Sequence, residues 1–368
     1  MRVLIAPDKF AGTLTAVQAA EAIAAGWRET LPGDDLDVAP LSDGGPGFVE
    51  VLHAAIGGRL ITVSVSGPLG DRVPARLLHH GDTAYVETAQ ACGLHLVPED
   101  ARDAGGSTTY GVGELLAAAI DDGASRCLLG LGGSATNDGG AGMLAGLGAG
   151  PAEVLRRGGM ALRELCRVDV VPALKRTAAV ELVMATDVDN PLLGEDGASA
   201  VFGPQKGASE EQTAALDAAL SHWAGLVGER WVDEPGAGAA GGLGFGLFVL
   251  GGRRESGIDA VLRAVSLDER VGSADLVLTG EGSFDSQSLR GKVPSGVARA
   301  AKERGVPCLL LAGRVAVRAD EMAGAGVDAA YSVADSAGSV EAAIARPAEE
   351  LASLAARVAR ERPNRPRG

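Results

Sequence analysis

An α/β fold of two domains is predicted, and three observations predict it. Short apolar runs repeatedly end in polar, glycine-containing loops that lead into helical periodicity. Between residues 59 and 87 the apolar period changes from helical to two, which marks an antiparallel meander. Hydrophobic residues make up 46% of the 368 and aromatics only 3%. The core must therefore be built from Ala, Val, Leu and Ile, as in parallel sheets covered by helices.

Taken in order, Val3 to Ala6 is a short strand ending at Pro7-Asp8-Lys9, and Thr15 with Gln18 forms a capping-box pattern opening a helix. Leu36 to Leu41 is a second strand, ending in Ser42-Asp43-Gly44-Gly45. The meander follows: Ile61, Val63, Val65, then Val73, Ala75, Leu77, then Ala84, Val86, with His79 and His80 at an exposed hairpin turn. Ser107 to Glu114 opens a helix whose small hydroxyls either cap it or hold an anion. Arg126 to Leu131 is a strand delivering the glycine loop Gly132 to Gly140. Leu182 to Ala185 is another, followed by the long irregular stretch Thr186 to Gly207. Ser209 and Gln212 then open a further capped helix, just after Lys206. The small-residue run Gly236 to Gly244 suits close packing against either a ligand or another helix.

Leu276 to Leu278 reads as a buried strand broken at Thr279-Gly280-Glu281-Gly282, with a polar loop through Arg290. Lys292 stands before Pro294 and a helix to Arg304 closed by Gly305. Val306 to Ala312 and Val327 to Val333 are the last strands. One helix from Val340 to about Ala359 follows, then a frayed arginine-rich tail.

Net charge of −15 argues against nucleic acid or an anionic membrane as partner. The four cysteines show no metal-ligand spacing and read as buried reduced thiols. No apolar stretch approaches the roughly eighteen residues of a membrane helix, and the start lacks a signal-peptide core, so a cytoplasmic protein is expected.

The loops collect Asp8, Asp43, Asp138, Asp187, Glu281 and Asp285, with Lys206 and Lys292 at helix starts. No histidine, serine elbow or thiol is placed as a nucleophile. Phosphoryl transfer suits such an inventory. It needs cationic and N–H clamps, carboxylates for magnesium, and one base for the attacking hydroxyl.

The chain resembles the bacterial glycerate kinases of type 1, nearly end to end. The resemblance is carried by Ala6-Pro7-Asp8, Asp43-Gly44-Gly45, Gly67-Pro68-Leu69-Gly70, Gly132 to Gly140, Asn190-Pro191-Leu192, Phe202 to Ala208, Gly236 to Gly242, and Thr279 to Gly282 with Asp285, Gln287-Ser288 and Gly291-Lys292. It implies phosphorylation of D-glycerate with ATP and Mg2+, 2-phosphoglycerate as product, and two α/β domains with the active site in the cleft between them. Ala11, Pro46 and Tyr110 depart from the family pattern where Lys, an acid and Arg are common.

The first and last strands are expected to share a Rossmann-like parallel-sheet domain, 1–57 plus 256–368, around an inserted α/β domain, 58–255, that contains the meander. On chemical grounds Asp187 is expected to be the base, with Lys206 and Lys292 as catalytic cations. Asp8, Lys9, Asp43, Gln287 and Ser288 are expected to bind substrate. Gly132, Gly133, Ser134, Thr136, Asn137, Gly280 and Gly282 are expected to hold nucleotide phosphates, and Asp138, Glu281 and Asp285 the metal. The alternative is a dinucleotide-dependent dehydrogenase of a small hydroxy acid, prompted by the strand–glycine–helix units but lacking Gly-x-Gly-x-x-Gly and its distal acid. A non-catalytic anion-binding protein would not need so many carboxylates.

Overall fold

The computed structural model describes residues 1–10, 12–290 and 292–361. Ala11, Gly291 and the tail 362–368, each singled out in the sequence, lie outside the described residues. The chain divides into two compact units: unit 1 is Met1–Asp43, Glu50–Gly57 and Ile258–Gly368, and unit 2 is Gly44–Val49 and Gly58–Gly257.

Unit 1 holds a fully parallel sheet of β1 (Arg2–Ile5), β2 (Asp35–Val38), β9 (Leu276–Phe284), β10 (Cys308–Val315) and β11 (Ala329–Ser332), in the order β11-β10-β9-β1-β2. Strand β9 carries the largest departure from the sequence reading. It does not break at Thr279 but runs on to Phe284, because β10 pairs with it through Leu311↔Gly280, Ala312↔Glu281 and Val315↔Phe284. Gly280 is there for close approach: a Cβ on it would come within 2.2 Å of the Leu311 carbonyl oxygen. The capping box at Thr15 and Gln18 opens the helix Ala16–Thr30 as expected. The C-terminal stretch is two helices, Val340–Ala345 and Pro347–Glu361. Pro347 has no N–H to continue the first.

Unit 2 holds the mixed sheet β3 (Arg59–Ser66), β4 (Arg72–His80), β5 (Thr83–Glu87), β6 (Arg126–Gly130), β7 (Glu181–Ala185) and β8 (Arg253–Glu255), in that order. The first three strands form the antiparallel meander and the last four are parallel. Its core packs Leu129, Met184, Leu220, Trp223 and Phe245, all buried. The run Gly236 to Gly244 packs closely against neighbouring backbone. A Cβ on Gly241 would lie 1.8 Å from the Thr136 carbonyl oxygen, and the backbone turns left-handed at Ala240 to Gly242. His79 is not a free surface group, since its Nδ1 contacts Asp122. Cys166 is exposed, while Cys92, Cys127 and Cys308 are buried. Among the described residues no helix is long and apolar enough to cross a membrane.

Candidate active site

In unit 1 the chain steps from β1 to β2 on one side and from β9 to β10 and β11 on the other. The order therefore reverses between β1 and β9, the point at which open parallel sheets leave a crevice beyond their strand ends. The ladder continues past β1, with the Ala6 and Asp8 N–H groups donating to the Leu278 and Gly280 carbonyls at 2.7 and 2.8 Å. Asp8 is thereby set beside Glu281. Both line a cavity of about 400 Å³, together with Lys9, Asp43, Gly282, Asp285 and Lys292.

These carboxylates are not equivalent. Asp8 is only 7% exposed, and burial together with the charge of Asp43 raises its pKa to about 7. Glu281 is 5% exposed and is likewise pushed up by burial. Its Oε1 is buried with no hydrogen-bond partner, and its Oε2 lies 3.9 Å from Lys292 Nζ. Asp285 goes the other way, held below the usual carboxylate range by the Gln287 and Ser288 N–H groups on its Oδ1. Lys9 Nζ reaches Asp43 Oδ1 at 3.3 Å. Among the described residues, no group of three or more His, Cys, Asp or Glu is arranged to hold a metal ion by itself.

Two expected substrate residues stand outside this lining. Ser288 is buried, its Oγ accepting from the Asp285 N–H and donating to the Ser283 carbonyl, so it braces the loop. Gln287 contributes its backbone N–H to Asp285. Sequence reasoning in turn missed Arg314 and the apolar wall of the cavity, which reads in sequence as ordinary core.

In unit 2 the glycine loop after β6 is largely interior: Ser134, Thr136, Asn137 and Asp138 are all buried, while Gly133 is exposed. Asp138 accepts from the Thr109 N–H and hydroxyl at 2.8 and 2.9 Å, and from the Gly140 and Gly142 N–H groups at 3.1 and 3.2 Å. The anion held at the start of the helix Tyr110–Asp121 is thus the chain's own carboxylate. Burial raises its pKa while these donors oppose the rise. Lys206 is 2% exposed and points inward, donating to Ser134 Oγ at 2.9 Å and to the Thr136 carbonyl at 2.7 Å. Burial lowers its pKa to about 8. Asn137 Nδ2 donates to Ser199 Oγ at 2.9 Å.

Asp187 follows the buried strand β7 and is exposed. Its Oδ1 accepts from Ser256 Oγ at 2.8 Å and from the Gly257 N–H at 3.0 Å. Those donors sit at the end of β8, a three-residue charged strand with no apolar alternation to betray it in sequence. Asp189, two residues on, is ion-paired with Arg254.

A parallel α/β sheet whose strand ends gather acids and lysines suits a phosphotransferase better than a dehydrogenase. A family model described as the glycerate kinase family matches residues 3–362. A glycerate kinase of Bacillus subtilis (strain 168) is 45% identical, with 98% of this chain and 97% of that protein covered. A glycerate 2-kinase of Escherichia coli (strain K12) is 42% identical, with 93% of each covered. A crystal structure from Salmonella typhimurium LT2, named for a glycerate kinase 2, superposes with a TM-score of 0.86 at 41% identity, covering 98% of both chains. The chain belongs to the glycerate kinase family. It is a kinase that phosphorylates glycerate, and nothing among these relatives supports the dehydrogenase alternative.

Proposed function

We propose that the protein transfers the γ-phosphoryl group of ATP, with Mg2+, to the 2-hydroxyl of D-glycerate, giving 2-phosphoglycerate and ADP. The observation that carries the reading is the crevice of buried acids and lysines at the strand ends of unit 1. The choice of the 2-hydroxyl rests on the name of the Escherichia coli relative. We take the two compact units as the protein's two domains.

The glycerate oxygen attacks the γ-phosphorus, the bond to the ADP oxygen breaks, and Asp187 takes the hydroxyl proton. Asp187 is accessible and oriented by two donors, whereas Asp189 is tied to Arg254. Lys9 and Lys292 supply positive charge for the anionic reactants. The residues fit a magnesium ion that arrives with nucleotide phosphates, since Mg2+ commonly takes only one or two protein carboxylates. Glu281, with its unpartnered Oε1, and Asp285 would hold it, with Asp8 beside them. When bound, the ion would offset phosphate charge. Asp138 we assign to bracing two helix starts, because protein donors already reach both of its oxygens.

ADP should form with D-glycerate and Mg2+, and much less with L-glycerate or after chelation, in a coupled assay. Phosphorus NMR should place the phosphate on C2. Equal turnover of glycerol would sink the reading, because a site built for a carboxylate rejects a substrate lacking one. Lys292→Ala should cost ~2–4 kcal/mol in kcat/KM, the worth of one charge-stabilising donor. The fold should survive, since the side chain is 43% exposed. Wild-type kinetics in that variant would reduce Lys292 to a solvated lysine.

A further inference from the structure

We propose that the apolar half of the unit 1 cavity is the seat of the nucleotide base. The cavity lining is of two kinds. Besides its acids and lysines it includes Val333, Ala334, Val340, Ala343, Ile344 and Pro347, drawn from the segments that follow β11. Val333, Ala334 and Ala343 are continuous with the core of unit 1. Val340 and Ile344 are only about half covered by protein: they are 46% and 56% exposed, two of only six large hydrophobics so exposed among the described residues. They lie four apart on the helix Val340–Ala345, and hence on one face.

A cavity lined by an apolar set and a charged set suits an occupant with both characters. Glycerate is polar throughout and far smaller than a cavity of about 400 Å³. Of the two reactants, only the nucleotide carries a flat apolar face at one end and a polyphosphate at the other. The inference therefore rests on the reading of ATP as phosphoryl donor. The polar half agrees with a phosphate end that brings a divalent cation. It presents Lys9, Lys292 and Arg314 for the phosphates, and it contains the buried, unpartnered Oε1 of Glu281. The volume falls within the ~300–1,000 Å³ usual for small-ligand sites. The location, beyond the strand ends beside the reversal of strand order, is where parallel sheets bind nucleotides.

The test uses the full-length enzyme with Val340→Asp and Ile344→Asp, plus Ile344→Ser as a milder change. Val171→Asp, at an apolar position in unit 2 that is 49% exposed, controls for surface charge. KM for ATP should rise ~10-fold or more in the aspartate variants, the effect of removing one well-buried aliphatic contact from a complex. KM for glycerate should stay within about twofold, and the control should match wild type. Calorimetry in Mg2+ should show ADP binding weakened to the same degree, with binding of inorganic tripolyphosphate unchanged. ADP affinity that is unchanged in all three wall variants overturns the proposal, as does an equal loss of ADP and tripolyphosphate. A wild-type enzyme that fails to turn over glycerate with ATP would instead strike the proposed function, and the ADP titration would still decide the base seat.

Discussion

Asp187→Asn lowers kcat by ~10²–10⁴-fold, the usual worth of a general base, while nucleotide and glycerate affinities change little. The substitution isolates basicity because the local geometry survives it. Ser256 Oγ and the Gly257 N–H donate to Oδ1, and an asparagine Oδ1 accepts the same two bonds. Strand β7, buried along four of its five residues between β6 and β8, keeps the position rigid. Steady-state kinetics with saturating substrates measure the effect, and Asp189→Asn is the matched control, its partner being Arg254. Retention of most of kcat moves the base elsewhere. Asp8 is then the first alternative, since burial and Asp43 already bring its pKa to about 7. A main loss of Mg2+ affinity would instead make Asp187 a ligand.

Lys206→Met lowers kcat/KM by ~30–1,000-fold, equivalent to ~2–4 kcal/mol. We propose that Lys206 acts by positioning: its ammonium donates to Ser134 Oγ and the Thr136 carbonyl and so would hold the shape of the glycine loop. In sequence Lys206 reads as a loop residue just before a helix, but it is buried, so Lys206→Ala would open a buried space and should cost a further ~2–4 kcal/mol of stability. Methionine keeps the stem and removes the charge. The pH dependence separates the two roles. In the folded protein Lys206 loses its proton near pH 8. Unfolded, it keeps that proton to about 10.4. Between those values the unfolded state binds more protons, so wild-type stability rises with pH relative to Lys206→Met, by on the order of 3 kcal/mol at most. Activity runs the opposite way, with kcat/KM falling as pH rises through about 8. Thermal melts and kcat/KM from pH 7 to 10.5 measure both. A variant whose kcat/KM profile still falls near pH 8 would assign that loss to another group.

Much of the fold could be read in the sequence because its signals are local. The alternation at Ile61–Val65, Val73–Leu77 and Ala84–Val86 is complete within each strand, and it became the meander β3-β4-β5. The capping boxes at Thr15–Gln18 and Ser209–Gln212 are closed by bonds within four residues of chain. The acids after β1, β2 and β9 were visible as residues in loops or at strand ends. That several of them line one cavity depends on β1 pairing with β9, residues more than 270 apart in sequence.

Tertiary contact decided what local pattern could not. Gly280 and Gly282 read as a loop, but β10 continues alongside them and makes them strand, with Gly280 required by the Leu311 carbonyl. The hydroxyls at Thr108–Thr109 pointed equally to a cap or an anion. The anion proved to be Asp138, brought from a loop 29 residues later. Ser134, Thr136 and Asn137 read as phosphate ligands by residue type, and that they are buried could not be read there, since burial depends on which backbone packs above the loop. Asp187 is the base expected from sequence, but the partners that separate it from Asp189 come from β8 and the residues just after it, too short and too charged to be seen. Composition and periodicity determined the fold class and the chemistry on offer, since both reside in runs of neighbouring residues. Which carboxylate is bare, which lysine is buried and which apolar face lacks cover were settled only by the tertiary structure, because desolvation and pairing depend on groups far apart in the chain.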